Sequence, residues 1–219
     1  MSKVENDFIH DGNQLGIELH GLTPAQAFIK RSFDISGSVI GLLLTWWLIL
    51  LAWLLASLDT RSNGFFTQER VGREGMIFRV IKIRTMRPIN GFETNVTVYN
   101  DPRITFLGKF WRKTKIDELP QLINVLKGDM SFVGPRPDVP GYADILEGED
   151  RIVLTVRPGI TGPATLKYRD EENLLAKSNN PETYNREIVW PDKVRLNREY
   201  VENWSFWQDL RYIWLTIFK

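Results

Sequence analysis

GSVIGLLLTWWLILLAWLLAS, residues Gly37 to Ser57, carries no charge over its whole length. A helix needs about 20 such residues to cross the hydrocarbon core of a bilayer. The run is apolar on every face, and the rest of a 219-residue chain is too small to cover it on all sides. It therefore predicts a membrane-inserted helix. Upstream, Thr23-Pro24-Ala25-Gln26 reads as the start: Thr23 caps, Pro24 takes the first helical position, and Gln26 closes a capping box. Lys30 and Arg31 before the run and Arg61 after it put cations at both ends, so the positive-inside rule chooses no side. On these residues a straight span and a re-entrant helix that returns to its starting face are both open. Lys30 and Arg31 are placed to meet lipid headgroups. Gly37 and Gly41 have the GxxxG spacing that allows close helix contact, as in a homodimer.

The division that follows is a polar N-terminal tail at 1–22, the membrane helix at 23–58 and a single domain at 59–219. The tail lacks the charged-then-apolar pattern of a signal peptide. Composition narrows the chemistry of the domain. The chain has no cysteine, which removes disulfides, thiolate metal sites and cysteine nucleophiles. Its two histidines, His10 and His20, both lie in the tail, which argues against a Ser-His-Asp triad or a histidine metal site. A net charge of +1 implies no nucleic-acid partner. Eight tryptophans suit a protein at a membrane interface. If the chain is an enzyme, a carboxylate is the best available nucleophile or base.

After Asp59, residues Phe65 to Met86 read as two short strands around a turn holding Gly72 and Gly75. Arg79 on the second strand reads as half-solvated, whereas Arg84 at the strand end is a better site candidate. A polar loop from Arg87 to Asn100 precedes a short basic helix within Asp101 to Ile116. Two amphipathic helices close the chain. In the last one Ser205 caps a stripe of Phe206, Leu210, Ile213, Trp214 and Ile217, which suits either the headgroup plane or the domain core. The expected class is α+β, mostly helical, with a short β-hairpin.

The stretch TKIDELPQLINVLKGDMSFVGPRP, Thr114 to Pro137, holds adjacent carboxylates, Asp117 and Glu118. Pro120 belongs in the first turn of a helix, which places Asp117 at or next to the N-cap and Glu118 in the first turn. Leu119, Leu122, Ile123 and Leu126 then share a face, and Gly128 stops the helix. The bland reading of Asp117 is a cap worth about 1 kcal/mol. Its surroundings weigh against that. Arg112, Lys113, Lys115 and Arg136 gather cations near a helix start, which suits phosphate. A carboxylate among cations can attack phosphorus, or share a divalent metal with a diphosphate. No GxxxxGK[ST] or GxGxxG loop is present, and no Asp-x-Asp.

Six stretches, KRSFD (Lys30 to Asp34), FTQERVG (Phe66 to Gly72), KIRTM (Lys82 to Met86), NDPRIT (Asn100 to Thr105), KIDELPQLINVLKGDMSFVGPRP (Lys115 to Pro137) and RPGITG (Arg157 to Gly162), together resemble the bacterial sugar transferase family. These are polyprenyl-phosphate hexose-1-phosphate transferases that begin glycan assembly on a lipid carrier. The resemblance implies a catalytic domain on the cytoplasmic face of the bacterial inner membrane. There a UDP-sugar gives its sugar 1-phosphate to polyprenyl (undecaprenyl) phosphate and UMP leaves. Carried onto this chain, it makes Asp117 the nucleophile of a phosphoryl-aspartate mechanism. Glu118 becomes its partner, and Mg²⁺ sits near both. Arg112 and Arg136 hold phosphates, Pro135 shapes the nucleotide side, and Arg157 with Thr161 lines the pocket. Small monotopic members carry a Ser-Pro pair in mid-helix that turns the helix back; here Trp46-Trp47 stands in that place. The family geometry still favours the re-entrant form. A catalytically silent membrane scaffold of the same fold and a lipid diphosphatase are the competing readings.

Overall fold

In the computed structural model of the protein, the described residues are 21–87, 101–178 and 180–218, without the side chains of 172 and 173. The polar loop expected between Arg87 and Asn100 lies largely outside them, as does most of the tail. Helix α1 runs from Pro24 to Thr60 and begins as its residues predict. The Thr23 amide donates to Gln26 Oε1 at 2.8 Å, and the Gln26 amide donates to Thr23 Oγ1 at 3.3 Å. Strands β1 (Phe65–Val71) and β2 (Ile77–Ile83) form the expected antiparallel hairpin, in register from Phe65 opposite Ile83 to Val71 opposite Ile77. Helix α2 (Phe106–Thr114) follows, then a 3₁₀ turn at Ile116–Glu118 and helix α3 (Gln121–Lys127). Strands β3 (Ser131–Val133) and β4 (Gly159–Thr161) pair in parallel, with a long 3₁₀ segment, Gly148–Thr155, between them. The chain closes with α4 (Pro163–Lys167), α5 (Glu171–Ala176), α6 (Pro181–Tyr184), α7 (Trp190–Glu202) and α8 (Phe206–Phe218).

One stripe of α1 is turned toward the domain along nearly the full helix. Lys30, Asp34 and Ser38 are buried at four-residue intervals, and eleven residues further on Ile49, Ala52, Ala56 and Thr60 continue the stripe at three- and four-residue intervals. Small residues let the domain approach. A Cβ on Gly37 would lie 2.7 Å from the Phe132 ring, and one on Gly41 would lie 3.0 Å from Leu122. The glycine spacing that suggested a second helix is thus occupied within the chain. Nearer the helix end, Ala52 and Ala56 pack with Ile83 of β2 and Trp111 of α2. The opposite face, including Leu43, Leu44, Trp46, Trp47 and Leu54, is exposed and apolar.

The two cations expected at lipid headgroups have protein partners instead. Lys30 is buried and its Nζ lies 2.6 Å from Asp209 Oδ2 of α8. Asp209 also accepts from the Tyr200 hydroxyl at 2.7 Å and from Trp204 Nε1 at 3.1 Å. Arg31 donates to the Val125 and Leu126 carbonyls at 2.6 and 2.8 Å, satisfying the open end of α3. One turn along α1, Asp34 Oδ1 accepts from Ser131 Oγ and the Phe132 amide, both at 3.0 Å. Buried charge must find partners, and here α3, β3 and α8 supply them.

The stripe read on the last helix divides. Phe206 and Ile213 pack on the core built from the 148–156 region and α7, while Trp214 and Ile217 face outward with Trp207 and Phe218. Ser205 does cap, accepting the Gln208 amide at 3.3 Å. In α3 the buried face is Gln121, Leu122, Asn124 and Val125; Leu126 is exposed. The apolar periodicity missed Asn124. It is wholly buried because its side chain acts as a piece of backbone for β2: Oδ1 accepts the Ile81 amide at 3.0 Å and Nδ2 donates to the Arg79 carbonyl at 2.8 Å.

Candidate active site

Lys115 adopts a left-handed conformation (φ 58°) that ends α2. The chain then tightens into the Ile116–Glu118 turn before α3 opens at Gln121. Asp117 is therefore in the middle of a separate turn, not at the N-cap of α3. Pro120 explains the break: it has no N–H for the carbonyl of Ile116, which bonds the Leu119 amide at 3.2 Å instead. Ile116 rests on the Ala52, Ala56, Ile83 and Trp111 cluster, so α1 itself backs the carboxylate turn.

Asp117 is 8% exposed, and its Oδ1 is buried without a hydrogen-bond partner. Burial, then the neighbouring charge of Glu118, pushes its carboxyl up to about 6, against the pull of Lys82, Lys115 and Arg112. Glu118 goes the other way. Burial alone would raise it, but Lys82, Arg136 and Lys115 outweigh that and hold it at about 2. Its Oε1 stands 3.5 Å from both Lys82 Nζ and Arg136 Nη2. The two carboxylates thus differ near neutral pH. Glu118 is held firmly as an anion, whereas Asp117 is an anion with little stabilisation and a weakly held charge.

Lys82 was legible as a basic residue on β2 but not as part of the site. Its signal is the strand period: Phe78 and Val80, on the same face as Lys82, pack toward α3. Arg136 is carried by the loop after β3, clamped from two sides. Gly134 and Gly159 amides bond the Thr161 and Pro135 carbonyls at 2.9 and 2.7 Å, and the Val71 amide bonds the Asp138 carbonyl at 2.9 Å. Arg70, which the sequence reading passed over, donates to the Pro137 carbonyl at 3.3 Å. The charge of Arg112 bears on Asp117, as expected.

Other expected site residues are engaged elsewhere. Arg84 Nε donates to the Asn63 carbonyl at 2.7 Å and its guanidinium lies 5.5 Å from the centre of the Phe66 ring. Arg157 Nε donates to the Gly128 carbonyl at 2.8 Å, joining Arg31 at the end of α3. Thr161 is buried, with its hydroxyl 2.6 Å from that of Thr216. Pro135, within the loop after β3, is buried. Arg84 and Arg157 serve local carbonyls because a strand end and a helix end each leave such groups unpaired. Arg79 is exposed and reaches Glu69 at 3.4 Å, as a half-solvated strand residue should.

A family model described as bacterial sugar transferase matches residues 25–219. The chain belongs to this family. EpsL of Bacillus subtilis (strain 168), named an uncharacterized sugar transferase, is 37% identical over 191 residues, 87% of this chain and 86% of EpsL. The UDP-glucose:undecaprenyl-phosphate glucose-1-phosphate transferase of Escherichia coli (strain K12) is 35% identical over 204 residues, 90% of this chain. An Aeromonas hydrophila UDP-N-acetylgalactosamine-undecaprenyl-phosphate N-acetylgalactosaminephosphotransferase is 35% identical over 219 residues, 98% of this chain. This sugar transferase chain spans 41% and 48% of those two relatives, so in them the shared region is one part of a longer protein.

Proposed function

We propose that the protein transfers a sugar 1-phosphate from a UDP-sugar to polyprenyl phosphate, releasing UMP, as the first membrane step of glycan assembly. The observation that carries this reading is the buried, unbonded Asp117 oxygen. It lies beside an ionised Glu118 on a turn seated against α1, with Lys82, Arg136 and Arg112 supplying positive charge. In the first step an Asp117 carboxylate oxygen attacks the β-phosphorus. An acyl phosphate bond forms, the bond between that phosphorus and the bridging oxygen breaks, and UMP departs with the electron pair. In the second step a phosphate oxygen of the polyprenyl phosphate attacks the same phosphorus and frees Asp117. Lys82 and Arg136 counter charge on the diphosphate. A silent scaffold has no need of this arrangement.

Magnesium suits the donor set. It takes hard oxygen ligands, commonly one or two carboxylates completed by substrate phosphates and water. Asp117 and Glu118 would hold it, and the described residues offer no group of three such side chains. Bound there, the ion would supply charge neutralisation for the diphosphate.

The reading that α1 keeps both ends on one face of the bilayer, as a re-entrant form would, is supported by the packing of the continuous helix Pro24–Thr60. Lys30 and Thr60 lie about 45 Å apart along a helix rising 1.5 Å per residue. Yet Lys30 meets Asp209 and Ala56 meets Ile83 and Trp111, all in one folded body. A straight crossing would carry one of these ends about 30 Å to the far side of the bilayer, away from its partners. The exposed face of α1, with Trp207 and Trp214 on α8 and Phe106 and Phe110 on α2, then meets lipid from the cytoplasmic side.

Two measurements test this. Purified protein in lipid should release UMP from a UDP-sugar only when polyprenyl phosphate and Mg²⁺ are both present. Inorganic phosphate released without a sugar nucleotide would favour a lipid diphosphatase. Since the chain has no cysteine, a Ser2→Cys variant carries a single thiol. Impermeant maleimide added outside intact cells should leave it unlabelled, and labelling would mean that α1 crosses.

A further inference from the structure

A second group of charges adjoins Arg136. Glu118 bears on this guanidinium most strongly, but Asp138 and Glu171 bear on it too. Glu171 opens α5 and accepts from Lys193 Nζ of α7 with both oxygens, at 2.7 Å each. The Lys193 side chain is 16% exposed and that of Glu171 29%, so the pair is neither sealed nor freely solvated. The charges of Lys193, Arg70 and Arg136 act in turn on Asp138, which follows the Pro135-Arg136-Pro137 loop. Strand β1, the loop after β3, α5 and α7 therefore bring alternating charges to one place beside the diphosphate site. The cluster is braced from behind. Asp192, next to Lys193, accepts from Lys167 Nζ at 2.6 Å, from the Tyr168 hydroxyl at 2.7 Å and from Arg195 at 2.7 Å.

The mixture of groups limits the ligand. Two carboxylates already offset the charges of Lys193, Arg70 and Arg136, which leaves little positive charge to hold a further phosphate. A nucleobase wants an aromatic face, and the ring beside Lys193, Tyr168, already has Lys167 and Lys193 ammonium groups 5.6 and 5.7 Å from its centre. A neutral polyol fits. Each Glu171 oxygen keeps a lone pair after bonding Lys193, ready to accept from a hydroxyl, while Lys193 and Arg70 can donate. Burial pushes the Asp138 carboxyl up to about 6 despite its cationic neighbours, so near neutral pH it can accept and, when protonated, donate. The hexose of a UDP-sugar hangs from the very phosphorus that Asp117 would attack, and Arg136 feels both Glu118 of that pair and Asp138 and Glu171 of this cluster.

We propose that Asp138, Glu171, Lys193 and Arg70 form the subsite for the hydroxyl groups of the donor's hexose, and that this subsite selects which sugar is transferred. The inference rests on the transferase reading above. It is tested with the full chain in lipid vesicles containing polyprenyl phosphate. UMP release is measured across UDP-hexoses differing at C2 and C4, and UMP itself serves as a competing probe that lacks the hexose.

Glu171→Gln and Asp138→Asn should each lower kcat/KM for the accepted UDP-hexose by about 10- to 100-fold and compress the ranking among epimers. The inhibition constant of UMP should stay within about twofold. Thermal melting of each variant, with Glu171→Asp as the conservative control that should recover part of the activity, separates this from misfolding. An equal loss of UMP binding would overturn the proposal by assigning the cluster to the nucleotide. Unchanged kcat/KM and ranking in an active protein would overturn it alone. A wild-type protein inert toward every UDP-sugar would instead overturn the transferase reading on which it stands.

Discussion

Asp117→Asn should abolish UMP release, by at least about 10³-fold, and at the same time make the protein harder to unfold at pH 8. The first half follows from the proposed attack by Asp117, which needs the charge that asparagine lacks. The second follows from the cost of that charge. Burial and Glu118 raise the Asp117 carboxyl from its ordinary value of 3.8 to about 6 in the folded protein. An acid whose folded value is raised binds its proton more tightly when folded. Its contribution to stability is therefore complete below about pH 4 and lost as the pH climbs through 6. Above pH 6 the folded chain carries an anion disfavoured by about 3 kcal/mol relative to the unfolded chain. Asparagine, which resembles the protonated acid, escapes that cost. Melting curves should show the variant several degrees more stable at pH 8, with the gain shrinking to nothing near pH 4. A variant that turns over normally would defeat the covalent mechanism. One that melts no higher than the parent at pH 8 would mean that Asp117 is compensated in some other way.

Lys30→Met should have the opposite character, a large loss of stability from a residue outside the carboxylate turn. Its removal would strand Asp209, a carboxylate almost wholly enclosed between α1 and α8. Breaking a buried pair by deleting one partner costs roughly 3–5 kcal/mol, because the remaining charge is left uncompensated. Tyr200 and Trp204 still donate to Asp209, which places the expected cost near the lower end, about 3 kcal/mol. The double variant Lys30→Met, Asp209→Asn should recover much of that loss, since it buries no lone charge. Urea unfolding in mixed micelles distinguishes the cases. If Lys30→Met unfolds at the parental urea concentration, Lys30 is a headgroup cation after all. Activity should fall with the single variant as well. The neighbouring Asp34 holds Ser131 and Phe132, the first residues of the strand that leads to Arg136.

The sequence was a good guide wherever the controlling interactions are local. The capping box at Thr23, the uncharged run after it and the hairpin between Phe65 and Ile83 all appear where the residues place them. Gly128 ends α3 at φ 97°, a backbone angle that glycine adopts without steric penalty. The pairing of Asp117 with Glu118, and their company of Arg112 and Arg136, was equally legible because Arg112, the pair and Arg136 lie within one stretch of about 25 residues. Where the local rule failed, a neighbouring local fact explains it: Pro120 withholds an N–H, and the expected N-cap becomes a separate turn.

Charge was different. Arg31, Arg84 and Arg157 read as phosphate or headgroup ligands, yet each satisfies backbone carbonyls. Lys30 read likewise, and it neutralises Asp209 from 179 positions away. Conversely, Lys82 and Arg70 lay in family-like stretches without a role of their own, and Asp138 and Lys193 in none that named them, yet Lys82 reaches Glu118 and the other three gather near Arg136. Helix caps, turns and apolar runs are fixed by bonds and burial within a few residues, so the sequence by itself determined them. Desolvation and Coulomb energy depend on distance through space, so only the tertiary structure decided which charges gather at the carboxylate turn and which satisfy carbonyls and buried partners elsewhere.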